Sequence, residues 1–322
     1  MNKITRSRAP LVLHNRKGSR KRAELNRNKL RVSRNEKLES GHFRVYKDPE
    51  VRELLEKNFL NKCCYCGTKV PLHVSHAHIE HFRPKTAVTT LTGKVKPGYY
   101  WLVAEWSNLL YACPLCNENK DTHFPVSDER QRKIEIEDIL EEKELLVNIS
   151  SRNYRFDDNY SYDFGCKESW ISEAVVLEGK SEKGWKTISI CKLSRPELNA
   201  KRMEIKQSVL KECSMFLEFL KLCEQAISKD NYLVKRRYCE CAKDFLNKYF
   251  SKKSLELEHY SLRVKILEMA IIKDSKSLIK FNKVVEKESQ AIKIYEEQED
   301  EDVLTELNDM GVIDVIISNY EL

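Results

Sequence analysis

The 322-residue chain has no run of 18 or more apolar residues, so no segment reads as a membrane-spanning helix and no membrane partner is expected. Its first residues are charged, and the longest early apolar stretch is Pro10 to Leu13. That is too short for the core of a secretory signal, so a cytoplasmic protein is expected. No internal repeat of roughly 20 to 50 residues is present, which excludes a repeat architecture. A phosphate-cradling loop is missing too: Gly179-Lys-Ser181 resembles the end of one, but the expected first glycine is Ala174. Any nucleotide dependence would have to come from another protein.

Each end lacks charge of one sign. Residues 1 to 34 carry twelve Lys or Arg and a single acid, Glu24, whereas Glu296 to Leu322 hold ten acids and no Lys or Arg. A basic arm over residues 1–34 suits binding to phosphates, with Arg16, Lys17, Arg20, Lys21 and Arg22 as its densest cluster. The acidic end interleaves Val303, Leu304, Leu307, Val312 and Ile313, which suits docking on a partner or on the body of the protein. From Glu197 to Glu299 there is no Gly or Pro, and Leu198, Met203, Ile205, Val209, Leu210 and Phe216 recur near helical spacing. A helical domain over 194–299 follows, ahead of an acidic, apolar tail over 300–322. Asp48-Pro49, followed by Val51, Leu54, Leu55 and Phe59, predicts a capped amphipathic helix at the start of a 35–126 block. The 127–193 connector reads as irregular with short strands, Tyr154-Arg-Phe156 and Trp185 to Ile190 among them.

Eleven cysteines without an export signal point to metal rather than disulfides. Cys63-x-x-Cys66 and Cys113-x-x-Cys116 are two such pairs separated by 46 residues, wider than a zinc ribbon, so a zinc ion would clamp the ends of a structured insertion. Cys64 is an alternative first ligand. Cys166, Cys191, Cys213, Cys223, Cys239 and Cys241 lack this spacing and read as core thiols. Ser75-His-Ala-His-Ile-Glu-His81 alternates like a strand. Cleaving a phosphodiester needs an imidazole to take a proton from water and an oxygen-ligated divalent ion to neutralise the departing oxygen. His81 suits the base and Glu80 an ion ligand, with His78 as the alternative ligand. The two neighbours could serve one ion only where the strand ends. The second zinc pair would bring Asn117 back beside them. Arg83 and Lys85 follow directly and could grip flanking phosphates; Arg83 could equally pair with an acid. Tyr99, Tyr100 and Trp101 read as core.

In their order and spacing, Cys63-x-x-Cys66, Glu80-His81, Asn108, Cys113-x-x-Cys116 and Asn117-x-x-Lys120 resemble the HNH, or ββα-metal, endonucleases of the zinc-knuckle type. The resemblance implies an α+β fold: a zinc-clamped ββα-metal core with a mainly α-helical C-terminal domain. It implies that Asn108 orients the base, Asn117 binds the catalytic ion and Lys120 contacts phosphate. Asparagine at 117, where many relatives have histidine, favours Mg²⁺ or Mn²⁺ over a second zinc. His78-Ile-Glu-His-Phe-Arg-Pro-Lys85, with Asn108 to Asn117 and Phe124-Pro125, is similar to the HNH subunit of Septu-type and retron-associated anti-phage systems. That implies a separate ATPase subunit as partner, and for the retron case a reverse transcriptase and noncoding RNA. The firm match covers about residues 60 to 126. A metal-dependent nuclease acting on DNA in preference to RNA is the expectation. Its rivals are an RNA-cleaving effector acting on, for example, tRNA, and a zinc-stabilised binding module without catalysis.

Overall fold

The computed structural model describes residues 3–70, 77–90, 93–132, 142–164, 175–228, 241, 244, 245, 248, 249 and 252–273. The chain divides into two units, Met1–Phe216 with Lys243–Ala270, and Leu217–Ala242 with Ile271–Leu322. Apart from the ends of helices at 217–228 and 271–273, the features that follow belong to the first. The acidic tail, His76 and much of the expected helical domain lie outside the described residues. Among the described residues, no helix is long and apolar enough to cross a membrane.

The architecture is mixed helix and sheet. Helix α1 spans Arg20–Ser33, capped where Ser19 accepts the amide of Arg22. Helix α2, Pro49–Asn58, starts as expected, with Asp48 as cap and proline in the first turn. Strand β1 is His78–His81, and a small hairpin pairs β2, Val88–Thr90, with β3, Gly93–Val95. Strand β4, Leu109–Ala112, runs antiparallel to β1 from His78↔Ala112 to His81↔Leu109 and leads into helix α3, Pro114–Lys120. All four β4 residues are at most 1% exposed, so this strand is apolar on both faces rather than alternating. Leu55, Phe59 and Tyr111 are equally buried. Phe59 stacks on Tyr111 at 6.5 Å, so α2 covers the hairpin.

Three expectations are revised. The 1–34 segment, expected as a basic arm, is in part packed against the rest of the first unit. Ile4 pairs with the backbone of Ile149, and Arg6 donates to the carbonyls of Trp106 and Leu109 while stacking over the rings of Phe59 and Trp106. These bonds tie residues 100 and 103 positions apart, and burial lowers the pKa of Arg6 to about 10. Second, Trp185 to Ile190 is helical. After helix α4 (Phe156–Asn159) and the antiparallel strands β5 (Tyr160–Asp163) and β6 (Val176–Gly179), helix α5 spans Glu182–Ile190, with Ser181 accepting the amide of Gly184. Its buried residues are Gly184, Thr187 and Ile188. This 3–4 spacing outweighs the short alternation that suggested a strand. Third, Tyr154 and Phe156 belong to no strand. Helix α6 spans Pro196–Ser228 and helix α7 spans Tyr260–Lys273.

Candidate active site

The sulfurs of Cys63, Cys66, Cys113 and Cys116 lie within 4.8 Å of one another, and Cys66 and Cys113 are 3.9 Å apart. Four thiolates at the usual zinc–sulfur length of about 2.3 Å on a tetrahedron would be spaced by about 3.8 Å, so the cluster fits a zinc ion. Local geometry explains why these cysteines converge. The first pair sits on a tight turn in which Gly67, with φ of +76°, donates to the Cys63 carbonyl; a side chain there would be strained. The Tyr65 amide donates to the Cys63 sulfur at 3.4 Å, and the Cys116 amide to the Cys113 sulfur at 3.5 Å. Cys64 is not in the cluster; its amide instead donates to the carbonyl of Tyr111 at 2.8 Å, which ties the first turn to β4. Burial raises the Cys63 thiol, while hydrogen bonds from Cys113, Cys116 and Cys63 hold Cys66 well below the ordinary thiol range.

Beyond the thiols, Arg195 donates both guanidinium nitrogens to the Cys116 sulfur, at 3.6 and 3.7 Å. Four thiolates around one divalent ion carry net negative charge, and this guanidinium is placed to offset it. Nothing in the spacing of the cysteines pointed to Arg195.

The β1–β4 hairpin and α3 present the remaining residues to a cleft of about 570 Å³, lined among others by Tyr46, His78, Glu80, His81, Lys85 and Asn117. His81 ends β1, is 5% exposed, and its Nε2 lies 3.1 Å from the Val103 carbonyl. A carbonyl only accepts, so Nε2 carries the ring proton and Nδ1 keeps a free lone pair. Burial, with Lys85 and Lys120 nearby, depresses the His81 pKa to about 3, and the ring stays neutral. Tyr46 meets the imidazole edge-on at 4.6 Å and accepts a hydrogen bond from Lys85 Nζ at 2.8 Å. Tyr46 carries no motif, and only the tertiary contact reveals it.

Asn108 does not touch the imidazole. Its Oδ1 accepts the Arg83 amide at 2.8 Å, and its Nδ2 donates to the carbonyls of Arg83 and Leu102, each at 3.1 Å. It thus locks the chain leaving β1 to the segment that ends at Val103, the partner of His81. Its hold on the base runs through the backbone.

The ion ligands divide differently from expectation. Exposed His78 meets half-buried Asn117, Nδ1 to Nδ2, at 3.0 Å. Glu80, 6% exposed, is engaged with Lys120 at 2.5 Å; burial raises its pKa and Lys120 lowers it. The alternative ligand, His78, is therefore the one that faces Asn117. Lys120 is 0% exposed, bonded to Glu80 and to the His81 carbonyl at 2.9 Å. It faces inward rather than toward a phosphate, because the buried carboxylate, which otherwise accepts the Tyr65 hydroxyl at 3.4 Å, needs its charge. Arg83 is likewise spent on Glu142 at 2.9 Å and Glu144 at 3.6 Å, with Phe124 beneath it. Lys85 alone of that pair lines the cleft. In the basic segment, Lys21 is buried against Glu105 at 2.7 Å and Arg20 bonds Asp48 at 3.2 Å, while Arg16, Lys17 and Arg22 are exposed. His123 bonds the Lys120 carbonyl and plays a structural part.

Fold and site together define an α+β protein in which four cysteines that could hold a metal ion pin a two-stranded hairpin to a short helix, beside a histidine-lined cleft. The chain is 36% identical over 170 residues to the Septu protein PtuB of Bacillus mycoides (strain KBAB4), covering 52% of this chain and 54% of that protein. It is 33% identical over 86 residues to the Septu protein PtuB of Bacillus thuringiensis, covering 27% and 29%. Over the matched residues the chain is similar to these Septu proteins. The chain spans about half the length of the first relative and under a third of the second. No family model matches, and no solved structure matches.

Proposed function

We propose that the chain is the metal-dependent nuclease of a Septu-type anti-phage system, built on an HNH, or ββα-metal, core and cutting polynucleotides, DNA in preference to RNA. One observation carries the reading: a neutral, backbone-anchored imidazole, His81, lines the same cleft as the His78–Asn117 pair. A module that only bound would gain nothing from burying an imidazole beside that pair. The similarity to Septu proteins supports the defence role; the separate ATPase partner rests on the family resemblance of the motifs and on the missing phosphate-cradling loop. The retron-associated assembly rests on the resemblance alone.

In this mechanism His81 Nδ1 takes a proton from water. The resulting hydroxide attacks phosphorus, the P–O3′ bond breaks, its electron pair leaves on O3′, and O3′ takes a proton from water while the His81 proton returns to solvent. The products end in 5′-phosphate and 3′-hydroxyl. His78 and Asn117 would hold the divalent ion, and what that ion supplies is neutralisation of charge on the phosphate and the departing oxygen. An imidazole in the donor set moves the preference from Mg²⁺ toward Mn²⁺. Lys85 lies beside the base to meet a flanking phosphate. Asn108, Lys120 and the zinc-fitting thiols hold these groups in register.

The test is His81→Ala, assayed on supercoiled DNA and on total RNA with Mg²⁺ or Mn²⁺, with and without the ATPase. Cleavage is expected to vanish while zinc content and polynucleotide binding persist. Unchanged cleavage in the variant, or none by the wild type under any of these conditions, would refute the assignment.

A further inference from the structure

A second concavity, of about 460 Å³, lies between α1 and the segment that follows it, and its lining is basic: Arg20, Arg27, Arg31, His42 and Arg44. The one acid in the wall, Glu24, is 6% exposed, and its carboxylate accepts the backbone amides of Arg44 at 2.7 Å and Val45 at 3.1 Å. It builds the wall and leaves the cations uncompensated. Two further acids touch the rim: Asp48 bonds Arg20 at 3.2 Å, and Glu36 reaches Arg31 at 4.0 Å with half its side chain in water. Among the described residues Arg27 has no ion pair, and the Arg44 guanidinium has none either, donating to the carbonyl of Gly41 at 3.4 Å. Like charges gathered around a hollow repel one another, and an anion in the hollow relieves this.

Two features select a polynucleotide backbone over a small anion. Arg20, Arg27 and Arg31 are seven and four residues apart on one face of α1. At about 1.5 Å per residue the row spans about 16 Å, the length over which one strand of a duplex presents about five phosphates. The hollow also adjoins the active-site cleft through consecutive residues: Arg44 and Val45 line the basic wall, and Tyr46 and Lys47 line the cleft that holds His81. A chain of phosphates lying along α1 is thereby led over the turn at 44–47 to the imidazole.

We infer that this cleft is a backbone-binding track that seats the polynucleotide on one side of the scissile linkage, with Arg27, Arg31 and Arg44 as its phosphate contacts. The inference rests on the proposed nuclease reading and names a part of its substrate path. It differs from the sequence expectation, which placed the contacts at residues 16–22; two of those, Arg20 and Lys21, are engaged with Asp48 and Glu105.

The test uses the full chain carrying His81→Ala, so that binding is read without cutting. Anisotropy of a short fluorescein-labelled duplex is followed across a salt series, with Arg27→Ala/Arg31→Ala/Arg44→Ala added on one arm and the three Lys equivalents on another. The alanine triple is expected to lower the slope of log K against log salt by about 2.7, three contacts at about 0.9 each. The lysine triple should keep the slope, and zinc content and melting temperature should stay level in both. Wild-type affinity and slope in the alanine triple would overturn the track while leaving the nuclease reading intact. Loss of all binding and cleavage already in the unmutated chain would overturn both. Displacement of the duplex by millimolar inorganic phosphate at constant ionic strength would make this a small-anion site and overturn the polynucleotide assignment.

Discussion

Replacing Lys120 with methionine separates two roles that make opposite demands. In the structure its ammonium is fully buried, 2.5 Å from Glu80 Oε1 and 2.9 Å from the His81 carbonyl. At an effective dielectric near 20, charges at that separation attract by about 7 kcal/mol, most of which offsets the desolvation of both groups. Removing the cation leaves a buried carboxylate that burial already shifts upward; it will take up a proton, which caps the loss. Breaking such a pair costs about 3 to 5 kcal/mol, and the lower end is expected here. For a unit of this size that is a fall in melting temperature of roughly 6 to 12 °C. Glu80→Gln/Lys120→Met removes the stranded charge and should recover most of the loss, and the single variant should be relatively less impaired as the pH falls and the buried carboxylate takes up a proton. Calorimetry of the wild type, both singles and the double supplies the cycle. If Lys120→Met melts like wild type, binds the substrate more weakly, and gains nothing from Glu80→Gln, the lysine is a phosphate contact and the buried-pair argument is wrong.

Arg195→Met removes the donors to the Cys116 sulfur and should weaken zinc about 10- to 100-fold in a chelator competition; equal affinity would mean the guanidinium does not offset the thiolate charge. The His81 pKa, lowered by burial to about 3 against 6.5 in the unfolded chain, makes the unfolded state bind more protons between those values. Stability is then full above pH 6.5 and falls with acid, by at most about 1.4 kcal/mol per pH unit. His259, also lowered by burial to about 3, adds a similar slope, so His81→Gln should flatten the denaturant-measured profile between pH 6.5 and 5.5 by up to about half; an unchanged profile refutes the neutral buried imidazole. Tyr46→Phe keeps the ring against His81 but strips the acceptor from Lys85, a loss of about 1 kcal/mol in stability with cleavage slowed less than about tenfold. Complete inactivation would make the hydroxyl a participant rather than a support.

The parts of the site legible in the sequence were those tied to short-range spacing. The two Cys-x-x-Cys turns announce a four-sulfur cluster because each turn aims two thiols at one point. The alternation ending at His81 marks a strand end, and Asp48-Pro49 a helix start. What stayed hidden was pairing across distance. Glu80 and His78 are equivalent by strand periodicity, both on the same face; α3 brings Lys120 to the first and Asn117 to the second, and no local pattern encodes that division. The same holds for Arg83, drawn to Glu142 and Glu144, and for the basic segment, where a charge count cannot tell exposed Arg22 from Lys21 buried against Glu105. Trp185 to Ile190 shows the reverse error, a local pattern too short to outweigh the contacts of Gly184, Thr187 and Ile188.

By itself the sequence determined which chemistry is present: thiols in pairs, an imidazole at the close of a strand, and amides and cations at fixed offsets from them. Only the tertiary structure decided which of these groups are free to act. A buried charge must find its counterion wherever the fold supplies one, so Glu80, Arg83 and Lys120 were claimed by partners 40 to 59 residues away in the chain, while His78, Asn117 and Lys85, with less to neutralise, were left facing the cleft.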